Sequence, residues 1–171
     1  MANYLEMPYN SAFDFGTNEF AIIGWFKQNA NTGIEVFFER DSSPTAQRIT
    51  LYVDASGFLN FSIDDSATVR TATGTRAVDD GVFHLVTGYY DGSGGVFVYL
   101  DGELYASATG SALLTMTNTS AVCRVGLGVN GANAATNASL ALWRISATAP
   151  TADQIAKIYN DEKVLFQENA Q

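Results

Sequence analysis

The chain has 171 residues, 47% hydrophobic and 16% charged, which is enough for one well-buried domain and short for two. Nine Lys and Arg against eighteen Asp and Glu give a net charge of -9, a field that repels phosphate backbones and argues against a nucleic-acid partner. The longest uncharged stretches, Leu104 to Cys123 and Val125 to Trp143, are rich in Ser, Thr, Asn and Gly, so no membrane insertion is expected.

Short apolar or alternating runs bounded by Gly, Asp, Asn or Ser recur along the chain at about the 8–12 residue spacing of a sandwich or barrel. They predict strands at 3–7, 11–15, 19–28, 34–40, 46–54, 57–63, 67–73, 82–90, 95–101, 103–109, 121–127 and 138–146. In Phe20-Ala21-Ile22-Ile23-Gly24-Trp25-Phe26-Lys27 the even positions form a core face, while Ile23 and Trp25 beside Lys27 make the other face half apolar. That second face needs at least partial cover. Asp54-Ala55-Ser56-Gly57, Asp91-Gly92-Ser93-Gly94-Gly95 and Asp101-Gly102 supply tight reversals, so the runs on either side of each pair as antiparallel hairpins.

Near the end, Thr151-Ala152-Asp153-Gln154 has capping-box spacing after Pro150, and Ile155, Ile158 and Tyr159 follow as an apolar stripe. One helix is predicted there, with the Trp25 face as a candidate surface for it. Residues 1–163 read as one domain. The tail 164–171 begins Val164-Leu165-Phe166, and it either packs onto this domain or continues into another. A single Cys123 excludes an internal disulfide, and the start lacks the basic-then-apolar pattern of a secretory signal. The expectation is a chain made in a reducing cytoplasm, or an excised domain.

These landmarks resemble the laminin-G-like, or concanavalin A-like lectin/glucanase, jelly-roll family. The resemblance rests on Asp14-Phe15-Gly16-Thr17-Asn18-Glu19-Phe20 leading into Ile22 to Lys27, and on Asp80-Gly81-Val82-Phe83-His84-Leu85-Val86 with Tyr90-Asp91-Gly92. It continues through Val98-Tyr99-Leu100-Asp101-Gly102-Glu103-Leu104 and Leu140-Ala141-Leu142-Trp143-Arg144-Ile145 to the helix. It implies an all-β fold, an antiparallel two-sheet jelly-roll sandwich with one short C-terminal helix. The two ends, Tyr4 to Asn10 and Ile155 to Phe166, are similar to domains embedded in bacteriophage structural proteins such as tail fibres. That similarity implies a virion or extracellular surface appendage as the working place. The family implies glycan, receptor or protein binding, sometimes with calcium. Family members often carry an acidic pair before the Arg of the last strand, but Ala141-Leu142 stands there, so a family calcium site does not carry over.

Catalysis finds little support in the residues. A sandwich glycoside hydrolase needs two carboxylates facing one bond. The nearest candidate, Glu35-Val36-Phe37-Phe38-Glu39, has its two Glu four apart on one expected face with Phe37 between them. His84 is the only histidine and Cys123 reads as a small buried strand residue, so no catalytic residue is assigned. The doublets Asp64-Asp65 and Asp79-Asp80 flank turns. They leave calcium possible without a specific motif, and no metal ligand is assigned.

Ligand binding is more suggestive. In Gly128-Val129-Asn130-Gly131-Ala132-Asn133-Ala134-Ala135-Thr136-Asn137, amides offer donor and acceptor to sugar hydroxyls, and glycine permits close approach. Asn130, Asn133 and Asn137 are the candidate contacts, with Asp41 from the polar loop 40–45. Trp25 is a candidate stacking platform for a sugar ring, or else lies beneath the helix. The expected role is non-catalytic: a recognition module for a glycan or cell-surface receptor. The alternative is a purely structural module that packs as a homo-oligomer or on other virion proteins.

Overall fold

The computed structural model describes residues 3–42, 45–113, 115–129 and 131–166. Eleven strands and one α-helix follow in order. They are β1 (Leu5–Met7), β2 (Phe20–Gln28), β3 (Glu35–Ser42), β4 (Thr45–Val53), β5 (Phe58–Asp64) and β6 (Val69–Ala77). After these come β7 (Phe83–Tyr90), β8 (Val96–Leu100), β9 (Glu103–Ala108), β10 (Val122–Val125), β11 (Ala138–Ser146) and α1 (Ala152–Glu162). Pairing between these strands is antiparallel, in a six-stranded sheet ordered β1-β10-β3-β4-β5-β6 and a five-stranded sheet ordered β11-β2-β7-β8-β9. The expected two-sheet sandwich with a C-terminal helix is the observed fold. No helix among the described residues is long and apolar enough to cross a membrane.

One predicted strand is absent. Residues Ser11–Phe13 form a single tight turn instead, because the Asn10 side chain accepts from Ala12 N and offers the backbone a local bond in place of a ladder. Asp14, just beyond, is drawn inward by Arg40, a 1%-exposed cation on the inner face of β3. Tyr9 Oη donates to the same carboxylate at 2.7 Å and Asn118 N at 3.0 Å, so this cluster ties the N-terminal segment to β3 and to the segment before β10.

The turns form for the reasons their residues give. Asp54 Oδ1 accepts from Ser56 N and Phe58 N, and Asp91 Oδ1 accepts from three successive amides, Ser93, Gly94 and Gly95. Burial penalises the Asp91 carboxylate, but those donors outweigh it and hold its pKa below the ordinary range. Asp101 and Gly102 both have positive φ, 54° and 89°, the pattern of a two-residue hairpin whose twist matches its strands.

Between the sheets lies one core. Phe20, Ile22 and Phe26 of β2 meet Phe37, Ile49, Leu51, Phe61, Val86 and Val98, all fully buried. Gly24 interrupts this face for a steric reason: the Trp143 indole lies directly against its backbone, and a Cβ built there would run into the ring. On the opposite face of β2, Ala21, Ile23 and Trp25 form a second cluster with Leu85, covered by Ile158, Tyr159 and Phe166. Here α1 docks. Its capping box is complete, with Gln154 N donating to Thr151 Oγ1 at 3.2 Å and Thr151 N donating to Gln154 Oε1 at 2.8 Å.

His84 ties two turns together. Its Nδ1 lies 2.6 Å from Asp101 Oδ2 and its Nε2 3.1 Å from Asp80 Oδ1. Burial pulls the imidazole pKa down, yet the Asp101 and Asp80 carboxylates outweigh that pull and raise it above its ordinary 6.5. A folded-state pKa above the unfolded one means a contribution that is complete below the unfolded value and lost as pH climbs through the folded value.

Two outcomes are expected. Gly24→Ala overpacks the Trp143 contact and destabilises by about 1–3 kcal/mol, read from the urea midpoint. Urea midpoints measured from mildly acid to mildly alkaline pH should show the parent losing its advantage over His84→Gln as pH rises; a constant gap between the two would refute the ion-pair account.

Candidate functional site

The loop from Gly126 to Asn137 leaves the end of β10, between β1 and β3 in the six-stranded sheet, and leads to β11. It is anchored along its length. Gly126 N donates to Phe37 O at 2.9 Å, Val36 N to Asn133 O at 2.8 Å, and Asn29 N to Asn137 O at 3.1 Å. Inside the loop Gly128 N donates to Ala132 O and Gly131 N to Gly128 O. Two charged side chains hold it from below. Arg124 donates through one guanidinium nitrogen to Gly128 O at 3.0 Å and Val129 O at 2.5 Å, while Val129 N donates to Glu39 Oε1 at 2.6 Å. Burial is the main cause that raises the Glu39 pKa, and the bonds from Val129 N and Thr50 only partly offset it.

Glu39 belongs to a row that no single strand reveals. Glu6, Arg124, Glu39, Thr50, Ser62 and Thr71 are successive cross-strand partners on the outward face of the six-stranded sheet. Arg124 Nε donates to Glu6 Oε2 at 2.6 Å, Thr50 Oγ1 donates to Glu39 Oε2 at 3.3 Å, and the Ser62 and Thr71 hydroxyls lie 2.8 Å apart. The loop sits as a lip over one end of this polar row.

The expected contacts separate on inspection. Asn133 is exposed, with φ of 56°, and presents its side chain to solvent while its carbonyl anchors Val36. Asn137 instead braces the loop: its Nδ2 donates to Thr32 Oγ1 at 3.2 Å, and Thr32 Oγ1 donates to Glu35 Oε1 at 3.0 Å. Asn130 lies outside the described residues. Asp41 is 7% exposed and sits opposite Val122 at the far end of β3, away from Asn133 and Asn137. Trp25 corrects the platform reading. It is 1% exposed, with ring centroids of Phe166 at 4.4 Å and Tyr159 at 5.9 Å, and its Nε1 donates to Glu162 at 2.7 Å. Its faces are covered by this chain, so no sugar ring reaches them.

The two glutamates weighed as a catalytic pair do not share a face. The register of β3 slips between Val36 and Phe38, so Glu35 stands opposite inward-facing Val53 and Glu39 opposite outward-facing Thr50. Carboxylates on opposite faces of one sheet cannot flank one glycosidic bond. Cys123 is buried, and burial pushes its thiol up to about 11, far from a reactive thiolate. Among the described residues no three His, Cys, Asp or Glu side chains gather as a metal-binding group.

Sequence reading also missed a groove. A cavity of about 680 Å³ opens between β1 and β10 on one side and β11 on the other, with Tyr4, Leu5, Val125, Leu140, Leu142 and Trp143 in its walls. Leu5 and Leu142 are 72% and 47% exposed. Gly126, Ala135 and Thr136 close one end, so the loop is a wall of the groove as well as a lip of the sheet.

Comparison with known proteins places this geometry. The family model Laminin_G_3, described as the concanavalin A-like lectin/glucanases superfamily, matches residues 2–156, and the chain belongs to that superfamily. No curated protein matches the sequence. Among solved structures, the CBM40 of Ruminococcus gnavus IT-sialidase aligns with a TM-score of 0.71 at 13% identity, over 93% of this chain and 95% of that one. The same domain has been solved bound to α2,3 sialyllactose. The binding domain of botulinum neurotoxin DC in complex with SialylT aligns with a TM-score of 0.70 at 14% identity, over 92% of this chain. The binding domain of Paraclostridial Mosquitocidal Protein 1 gives 0.73 at 14%, also over 92%. This chain spans 39% and 41% of those two toxin chains. At such identities the likeness is one of fold, and these neighbours are binding domains.

Arg124→Ala removes two loop anchors and the Glu6 ion pair, and charge-assisted hydrogen bonds of this kind are worth about 1.5–3 kcal/mol each at most. The expected result is a lower urea midpoint together with faster amide exchange concentrated in 126–137; unchanged exchange there would show that the backbone anchors alone hold the loop.

Proposed function

We propose that this member of the concanavalin A-like lectin/glucanase superfamily is a non-catalytic recognition module that binds a glycan or cell-surface receptor through loop 126–137. The observation that carries the reading is the bracing of that loop. Backbone bonds to β3, the Arg124 guanidinium and the Glu39 carboxylate fix a polar segment in place, so little ordering cost remains when Asn133 meets a hydroxyl. Glu35 and Glu39, on opposite faces, offer no acid pair for hydrolysis.

The binding of sialyllactose by the neighbouring CBM40 domain supports including acidic as well as neutral glycans among the ligands to be screened. In our reading the module works in a phage tail fibre or another virion or extracellular surface appendage, where several copies raise weak single-site affinity through effective concentration. A second reading is favoured by the groove beside β1. Leu5 and Leu142 stand exposed there, as in a structural module that packs on a sister copy or another virion protein.

A glycan array with and without calcium, paired with light scattering, separates the two. Recognition predicts specific glycan signals that Asn133→Ala weakens roughly five- to tenfold, the size of one lost hydrogen bond of about 1 kcal/mol. Oligomerisation with a blank array supports the structural module, and release of reducing sugar from any bound glycan overturns the passive role.

A further inference from the structure

The outward face of the five-stranded sheet carries a second cavity, of about 310 Å³, between β2, the start of β7 and the end of α1. Half of its lining residues are aromatic, Phe83, Tyr159, Phe166 and Trp25, and Lys27 and Lys163 stand over the rings. Lys27 Nζ lies 6.0 Å from the centroid of Phe83, and Lys163 Nζ 5.2 Å from that of Tyr159. In a chain with twice as many acids as Lys and Arg, nearby carboxylates should quench such ammonium groups. These are not quenched: among the described residues neither lysine has a carboxylate within ion-pair distance, and Lys163 Nζ donates only to the Asn160 amide oxygen, at 2.8 Å.

The nearest acids are engaged elsewhere. Glu162 takes two bonds from Arg144, at 2.7 and 2.9 Å, and one from Trp25, and these donors hold its pKa down against the penalty of burial. Asp80, beside the wall residue Gly81, shares the His84 imidazole with Asp101, and the raised pKa of that ring favours the imidazolium. Among the described residues two ammonium groups without a carboxylate partner therefore stand at the mouth, on a molecule whose net charge is -9. Two ammonium groups above aromatic walls match a ligand with a carboxylate at one end and an apolar C–H face at the other.

We propose that this cavity binds the carboxylate-bearing terminal residue of an acidic saccharide. The inference rests on the glycan-binding reading above but places the acidic residue on the opposite sheet from loop 126–137, so the two can fail separately. The volume is at the lower end for ligand pockets and suits one sugar residue with its carboxylate between Lys27 and Lys163. A hexuronic acid and a sialic acid both offer that group.

Calorimetric titration of the full chain with sialyllactose, a galacturonic-acid disaccharide and lactose tests it. At least one acidic ligand should bind, more weakly as salt is added, and lactose should not compete for the same site. Which acidic arm binds names the source of the carboxylate. The double variant Lys27→Met, Lys163→Met keeps the aliphatic cover of the rings; with an unchanged thermal midpoint it should lose acidic-ligand affinity at least tenfold. Equal binding by the double variant and the parent overturns the site. If Asn133→Ala weakens glycan binding and the lysine variant does not, the proposed function stands and this site falls. If neither acidic saccharide binds, this site falls, while the glycan array decides the proposed function separately.

Discussion

The register slip in β3 decides what the rest of the molecule can do. By inserting one extra residue between Val36 and Phe38, it turns both Phe37 and Phe38 into the core and sends Glu35 and Glu39 to opposite faces. Arg40 then points inward, where Asp14 neutralises it, and Glu39 points outward beneath the loop that follows β10. One local irregularity therefore packs the core, closes the N-terminal segment and anchors the rim. An unbroken strand would have put Glu35, Phe37 and Glu39 on one side, leaving either a carboxylate pair in the core or a phenyl ring in water.

The two outward faces differ because their cross-strand neighbours differ. On the six-stranded sheet a polar row, from Glu6 to Thr71, meets its hydrogen-bonding needs through side-chain bonds, which Glu39, Thr50 and Ser62 require because they are buried. On the five-stranded sheet Ala21, Ile23, Trp25 and Leu85 would be a large apolar patch, and α1 removes it from water. Glu162 ties the end of the helix to the sheet, because its carboxylate takes the Trp25 indole N–H and both Arg144 bonds. The cavity below Lys27 and Lys163 exists because that cover ends before the sheet does.

Much of this was legible in the chain. Period-two alternation located eleven strands to within a few residues of their ends, and Asp-led glycine turns gave their antiparallel order. The capping box and the apolar stripe placed α1, and the half-apolar face of β2 anticipated what it would cover. What stayed hidden depends on contacts between distant segments. A run rich in aromatics, such as 11–15, carries no mark telling that Asn10 will cap a turn there. A slipped register in β3 leaves no trace in the alternation of Glu35 to Glu39. The loop was found from its asparagines, but the brace on it comes from Arg124 and Glu39, whose meeting follows only from strand pairing. Lys27 and Lys163, far apart in sequence, read alone as ordinary surface charges.

The stack of Phe166, Trp25 and Tyr159 also gives the molecule an internal gauge. With only two tryptophans, one under the helix and one lying against Gly24 beside the open groove, intrinsic emission divides into one signal for each face of the five-stranded sheet. Undocking of the helix would let water reach the first indole and shift its spectrum to the red, while the second would follow events at the mouth of the sandwich. Replacing either by phenylalanine would turn the domain into a single-channel optical sensor.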